Sequence, residues 1–149
     1  MRRPVAVVAA IVLLVEAVGI VAINGILATL VDAQDMSLGG MEPDAMVTGT
    51  WVMGAVFGLY LATCGVLLLL AGLRDRAPGR VARILLISCA VVHGVLGAVT
   101  VGLVGWHAFA FMMVVLGLIV LSLLGYGKPA PAPRETTADP APTNGAAPA

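Results

Sequence analysis

Four apolar runs dominate this chain: residues 5–31, 47–73, 81–104 and 107–126. Each holds about 20 residues or more, the length a helix needs to cross roughly 30 Å of hydrocarbon. The first two exceed that length, so they are expected to tilt or protrude. Strand-type alternation is absent, and in lipid an open-ended segment satisfies its own backbone only as a helix. The expected fold is therefore all-α. Residues 1–127 form a four-transmembrane-helix bundle, and residues 128–149 form a disordered tail.

Composition supports lipid as the solvent. Of 149 residues, 60% are hydrophobic and 11% charged. A water-soluble domain of this size could not hide that much apolar surface. The first run begins MRRP, and Val31-Asp32-Ala33 could pass for a cleavage site. Its apolar stretch is nevertheless about twice a signal-peptide core and carries a charge in the middle, so it reads as a retained helix. The formal net charge is zero, which gives no reason to expect a nucleic-acid partner. The partners expected are the bilayer itself and a second copy of the chain or another membrane protein.

The distribution of charge sets the expected orientation. With four helices, Arg2, Arg3, Arg74, Arg76, Arg80, Arg83, Lys128 and Arg134 all fall on one side. The first loop carries Asp32, Asp35, Glu42 and Asp44 and no basic residue. Basic residues stay on the cytoplasmic side. The expectation is a multi-pass protein of the inner or plasma membrane with both termini cytoplasmic. Trp51 and Trp106 at the outer helix ends and Tyr126 at the inner end are placed as headgroup anchors. Pro43 suits a first helical turn, so helix 2 is expected to begin outside the membrane near Asp44. Pro78-Gly79 supplies the inner turn, and Gly105 a still shorter outer one that makes helices 3 and 4 antiparallel neighbours. The tail carries six of the nine prolines and almost nothing apolar larger than alanine. It cannot bury a core, and it reads as a solvated cytoplasmic segment.

Small residues mark where helices can approach closely. Helix 2 carries Gly54 and Gly58, then Gly65 and Gly72 on nearly the same stripe. Helix 3 carries Ala90, Gly94, Ala98 and Gly102 at every fourth position. These stripes serve either internal packing or a seam with a second copy.

Three polar side chains share one depth. At a rise of ~1.5 Å per residue, Glu16 lies ~17 Å, His93 ~18 Å and Tyr60 ~20 Å from the inner ends of their helices. A bare carboxylate at the bilayer centre costs roughly 2.5–3.5 kcal/mol, so Glu16 is expected to face the bundle interior and be paired or protonated. On helix 3, Cys89, His93, Gly97 and Thr100 form one polar, small-residue face. Glu16 and His93 are expected to hydrogen-bond, with Tyr60 as a third member. Two readings of this layer stay open. One is a proton site in a transporter or sensor, and the other is a polar staple that fixes helix register.

Other residues offer less. Cys64 and Cys89 lie at similar depth and read as small buried hydrophobes. Met36, Met41 and Met46 with His107 form a weak soft-metal set, since dedicated motifs pack methionine more closely. His93 and His107 lie at different depths, so they cannot share a haem. Asn24 reads as satisfying backbone or a neighbouring helix. There is no HExxH, CxxC or nucleophile elbow, and the glycines lie in apolar helices rather than in a phosphate-cradling loop. Neither a cofactor nor a metal is expected, and the chain reads as no enzyme. The expected role is an accessory, sensor or partner-binding subunit. The alternative is a proton-coupled small-molecule transporter using Glu16 and His93.

The stretch Val15-Glu16-Ala17-Val18-Gly19, in the first of four helices, resembles the small multidrug resistance transporters. The resemblance covers about seven residues. It implies a first-helix carboxylate that takes protons and cationic drugs in turn within an antiparallel dimer, and it carries over to Glu16 alone. Helix 3 has His93 and lacks that family's tryptophan, the outer loop is long and acidic, and the one-sided charge opposes dual insertion. In composition the chain also looks like the small four-helix membrane proteins of high-GC bacteria, with Ala/Val/Gly/Arg bias and a Pro-Ala tail. That likeness implies a fold and no activity.

Overall fold

The structure, a computed structural model, describes residues 2–37, 39–40 and 42–127. Among these the chain forms four helices: α1 (Arg2–Ala33), α2 (Pro43–Arg74), α3 (Arg80–Leu103) and α4 (Trp106–Gly125). All four are long and apolar enough to cross a membrane, the make-up of a multi-pass membrane protein. The expected tail, 128–149, lies outside the described residues, as does Met41.

The helix ends follow local chemistry. Pro43 occupies the first position of α2, where its missing N–H is no loss. Asp75 closes α2 in the left-handed conformation, φ 51°, and Pro78-Gly79 then turns the chain into α3. Only Val104 and Gly105 separate α3 from α4. Gly105 makes that possible with φ +111°, a conformation open to a residue without Cβ. α1 and α2 have 32 residues each, about 48 Å of helix, so both outreach the hydrocarbon.

The four helices form two close pairs. The most extensive contact is α1 with α2, followed by α3 with α4. α1 also meets α4, and α2 touches α3 only narrowly. The α1–α2 seam is built on glycine. A Cβ at Gly65 would meet Leu14 Cγ at 3.0 Å and the Ala10 carbonyl at 3.2 Å. One at Gly72 would meet Val7 at 3.0 Å, one at Gly58 would run into Val21, and one at Gly54 would run into Asn24. Gly58, Gly65 and Gly72 recur every seven residues, the period that keeps one face of a helix turned toward its neighbour. Buried Ala6, Ala10 and Ala17 complete the seam from α1.

On α3 only part of the small-residue stripe packs inside the bundle. Ala90 is buried and Gly94 sits against Leu116, but Ala98 and Gly102 are exposed, with nothing near a Cβ at Gly102. The close approach to α4 is made by Gly97, whose Cβ would meet Met113 Cε at 2.6 Å and Met112 Cβ at 3.4 Å. The physical reason is rotation. His93 and Cys89 turn inward and bring Gly97 with them, one residue short of Ala98, or about 100° of helix. Gly102→Leu should therefore change the stability of the isolated chain by no more than about 0.5 kcal/mol. Thermal unfolding in detergent checks this, and a clear loss would mean that a second chain packs there.

Two ends can be told apart. At the Arg-rich end, Arg3 Nη2 reaches Asp75 Oδ2 at 3.1 Å and Tyr126 Oη donates to the Ala71 carbonyl at 3.2 Å. Tyr126 lies at the inner end of α4, as expected, and there its ring is covered by protein. It is buried with Ala6 and Ala71 and ties the end of α4 to α2. At the acidic-loop end, Trp106 is exposed and stacks edge-on with Phe109, and Trp51 covers Gly25. Large apolar side chains such as Val15, Val18, Leu59, Val91 and Val114 point outward from all four helices. In water this would be a severe liability, whereas in lipid it is the expected surface.

Candidate functional site

Glu16 enters the core because of its place on α1. Ala9 and Leu13 precede it at helical spacing and both are buried, while its neighbours Val15 and Val18 are exposed. His93 lies on the buried stripe of α3 with Leu86, Cys89 and Gly97. The two faces meet. His93 Nε2 lies 3.0 Å from Glu16 Oε2, with side-chain exposures of 3% and 12%.

The other ring nitrogen settles the proton count. His93 Nδ1 is 2.8 Å from the Cys89 carbonyl, and a carbonyl oxygen can only accept, so Nδ1–H donates. The Nε2–Oε2 contact then holds a single proton. It resides on Nε2, giving an ion pair, or on Oε2, giving a neutral pair. Either way the pair carries no net charge. The Cys89 thiol also approaches Nδ1, at 3.6 Å.

Tyr60 does not belong to this pair. Its hydroxyl lies 2.6 Å from Ser88 Oγ and 3.4 Å from the Leu85 carbonyl. Ser88 Oγ donates to the same carbonyl at 2.8 Å, and the Cys64 thiol reaches it at 3.8 Å. Depth along the helix brought Tyr60 level with the pair, but its direction around α2 sends it to the flank of α3. Ser88 escaped the sequence reading because a lone serine in an apolar helix normally bonds its own backbone, as Ser122 does here. A tyrosine one helix away at equal depth was the available signal. Cys64 and Cys89 are both buried and free, and they neighbour each other across the α2–α3 contact. Asn24 donates to its own helix at the Ile20 carbonyl, 2.8 Å away. Met36 and His107 are exposed at the acidic-loop end, and His93 is deep in the bundle.

These bonds follow one rule. Away from the helix ends, the side-chain hydrogen bonds between helices join one close pair to the other: Glu16 to His93, and Tyr60 and Cys64 to the Leu85–Ser88 turn. Within a pair, small residues and close backbones do the holding. No buried side-chain nitrogen or oxygen among the described residues lacks a partner.

A cavity of about 250 Å³ opens between the pairs, on the acidic-loop side of Glu16 and His93. All four helices line it: Ile20 from α1, Phe57 from α2, Leu96 from α3, and Phe111 and Met112 from α4. Its walls are apolar, and Glu16 and His93 line its inner end. Comparison with protein-family profiles, curated proteins and solved structures returned no match.

Proposed function

We propose that this chain is a non-enzymatic multi-pass protein of the inner or plasma membrane. Both termini are cytoplasmic, and its intramembrane cavity receives a small molecule for a sensing or accessory role. The observation that carries this reading is the Glu16–His93 contact at the floor of an apolar cavity bounded by all four helices. Apolar cavities with a few convergent polar groups are where small ligands bind. The pair joins α1 to α3, one close pair of helices to the other, so whatever presses on it bears on how the two halves sit together. Support for the orientation comes from the sequence, in which four spans assign all eight basic residues to one side.

A proton-coupled transporter is the second reading. One observation favours it: Glu16 lines the cavity, and His93 engages only one of its two carboxylate oxygens. Reconstitution in liposomes separates the two readings. The sensing reading expects no proton flux by a pH-sensitive dye, and a Glu16→Gln variant altered only in thermal stability. Flux that Glu16→Gln abolishes while the fold survives would establish transport.

A further inference from the structure

The cavity specifies the kind of molecule that fits it. Three observations bear on this. First, the walls offer carbon, so most of the occupant must be apolar. At about 250 Å³ the space exceeds the ~150 Å³ apolar cavity that accepts a single benzene ring, and it has room for a bicyclic body. Second, the pair at the floor carries no net charge in either proton arrangement, so it cannot compensate an added ion. A charged ligand would lose its hydration among apolar walls with no counterion. Third, Glu16 Oε1 has no partner among the described residues, yet it is not sealed from open space. Whether the shared proton sits on Nε2 or on Oε2, Oε1 remains an acceptor. What it lacks is a donor.

The rim shows the route of entry. Ile23, Leu96 and Phe111 line the cavity and are each 42–56% exposed on the outer surface of the bundle. In a bilayer that surface faces acyl chains. A molecule dissolved in lipid meets the opening without crossing a polar barrier.

We propose that the cavity binds a neutral, largely apolar molecule bearing one hydroxyl, which donates to Glu16 Oε1 and enters from the surrounding lipid. This rests on the reading of the cavity as a ligand site and adds its chemical class. It runs against a cationic ligand, which would require His93 to give up Glu16.

A matched probe series tests it on the full chain in nanodiscs. Indane, indan-2-ol, 2-aminoindane and indane-2-carboxylate share one bicyclic body and differ in a single group. Indan-2-ol should bind about tenfold more tightly than indane, the value of one well-made hydrogen bond. The ammonium and the carboxylate should bind more weakly than the alcohol. Gly19→Leu localises the site. Gly19 lines the cavity and a Cβ there meets nothing within 4 Å, so a leucine side chain starts into open space. It should weaken indan-2-ol at least about tenfold. Met112→Trp fills the cavity from α4 and serves if the first variant fails to fold. Equal binding of indane and indan-2-ol would overturn the hydroxyl while leaving the cavity a ligand site. Tightest binding by the ammonium would overturn neutrality. Failure of every probe, or indifference to both filling variants, would bring down the ligand-site reading itself.

Discussion

Replacing His93 with leucine should destabilise the folded bundle by about 3 kcal/mol, the cost of leaving a buried carboxyl group without its partner. Glu16 would keep its place beside Ala9 and Leu13 on the core face of α1 but lose its partner at 3.0 Å. It would then have to hold a proton or rotate toward lipid, and either response loses the link between α1 and α3. The double variant Glu16→Leu/His93→Leu should recover most of the loss, because well-packed apolar groups often replace a buried ion pair at no net cost. Glu16→Gln keeps a hydrogen-bonding group opposite Nε2 and should cost only about 1 kcal/mol. SDS titration of the purified chain measures all three. A His93→Leu variant as stable as the parent would show that the pair contributes nothing to holding the halves together.

The second large effect belongs to the α1–α2 seam. Gly65→Val should cost about 1–3 kcal/mol, the range for forcing extra methyl groups into a close-packed contact. Its Cβ would come within 3.2 Å of the Ala10 carbonyl and 3.0 Å of Leu14 Cγ. Leu14 can rotate, but the carbonyl belongs to the α1 backbone and cannot move without moving the helix. Gly58→Val should behave alike, against Val21 and the Ala17 carbonyl at 3.3 Å. The two sites lie two turns apart on one seam, so their effects should combine as a single opening of α1 from α2. Thermal unfolding in detergent reads this. Gly19→Leu, on the cavity side of α1, supplies the comparison, because its Cβ meets nothing. A similar loss at Gly19 and Gly65 would mean that helix packing in general, rather than this seam, had been disturbed.

The contrast between these variants reflects how the bundle is built. Inside each pair, glycine and alanine let backbones approach, and dispersion over a long contact holds them. Between the pairs, contacts are narrower and directional bonds take over. Such bonds fix register, because a hydrogen bond fails over a small displacement, whereas apolar side chains can slide. The cavity lies along that second kind of interface, whereas the space between α1 and α2 is an open groove on the bundle surface, lined by Leu14, Val18 and Leu59.

Much of this was readable from residue order alone. The number of helices, their approximate limits, the segregation of arginine from acid, and the common depth of Glu16 and His93 all follow from hydrophobic run length and a constant rise per residue. The glycine stripe of α2 was legible too, because a recurring absence of side chain leaves few other uses for that face. Depth alone does not give direction: Tyr60 shares the level of the pair but bonds Ser88, and Tyr126, at the inner end, closes on Ala71.

What only the tertiary structure decided is rotation about each helix axis and the choice of neighbour. A sequence states how far along a helix each residue lies. The direction a residue faces depends on how every other helix is turned, and an error of one residue is about 100°. That margin separates Gly97, pressed against Met112 and Met113, from exposed Ala98. It also creates the space above Glu16, since a cavity is where four surfaces fail to meet and no single segment encodes it.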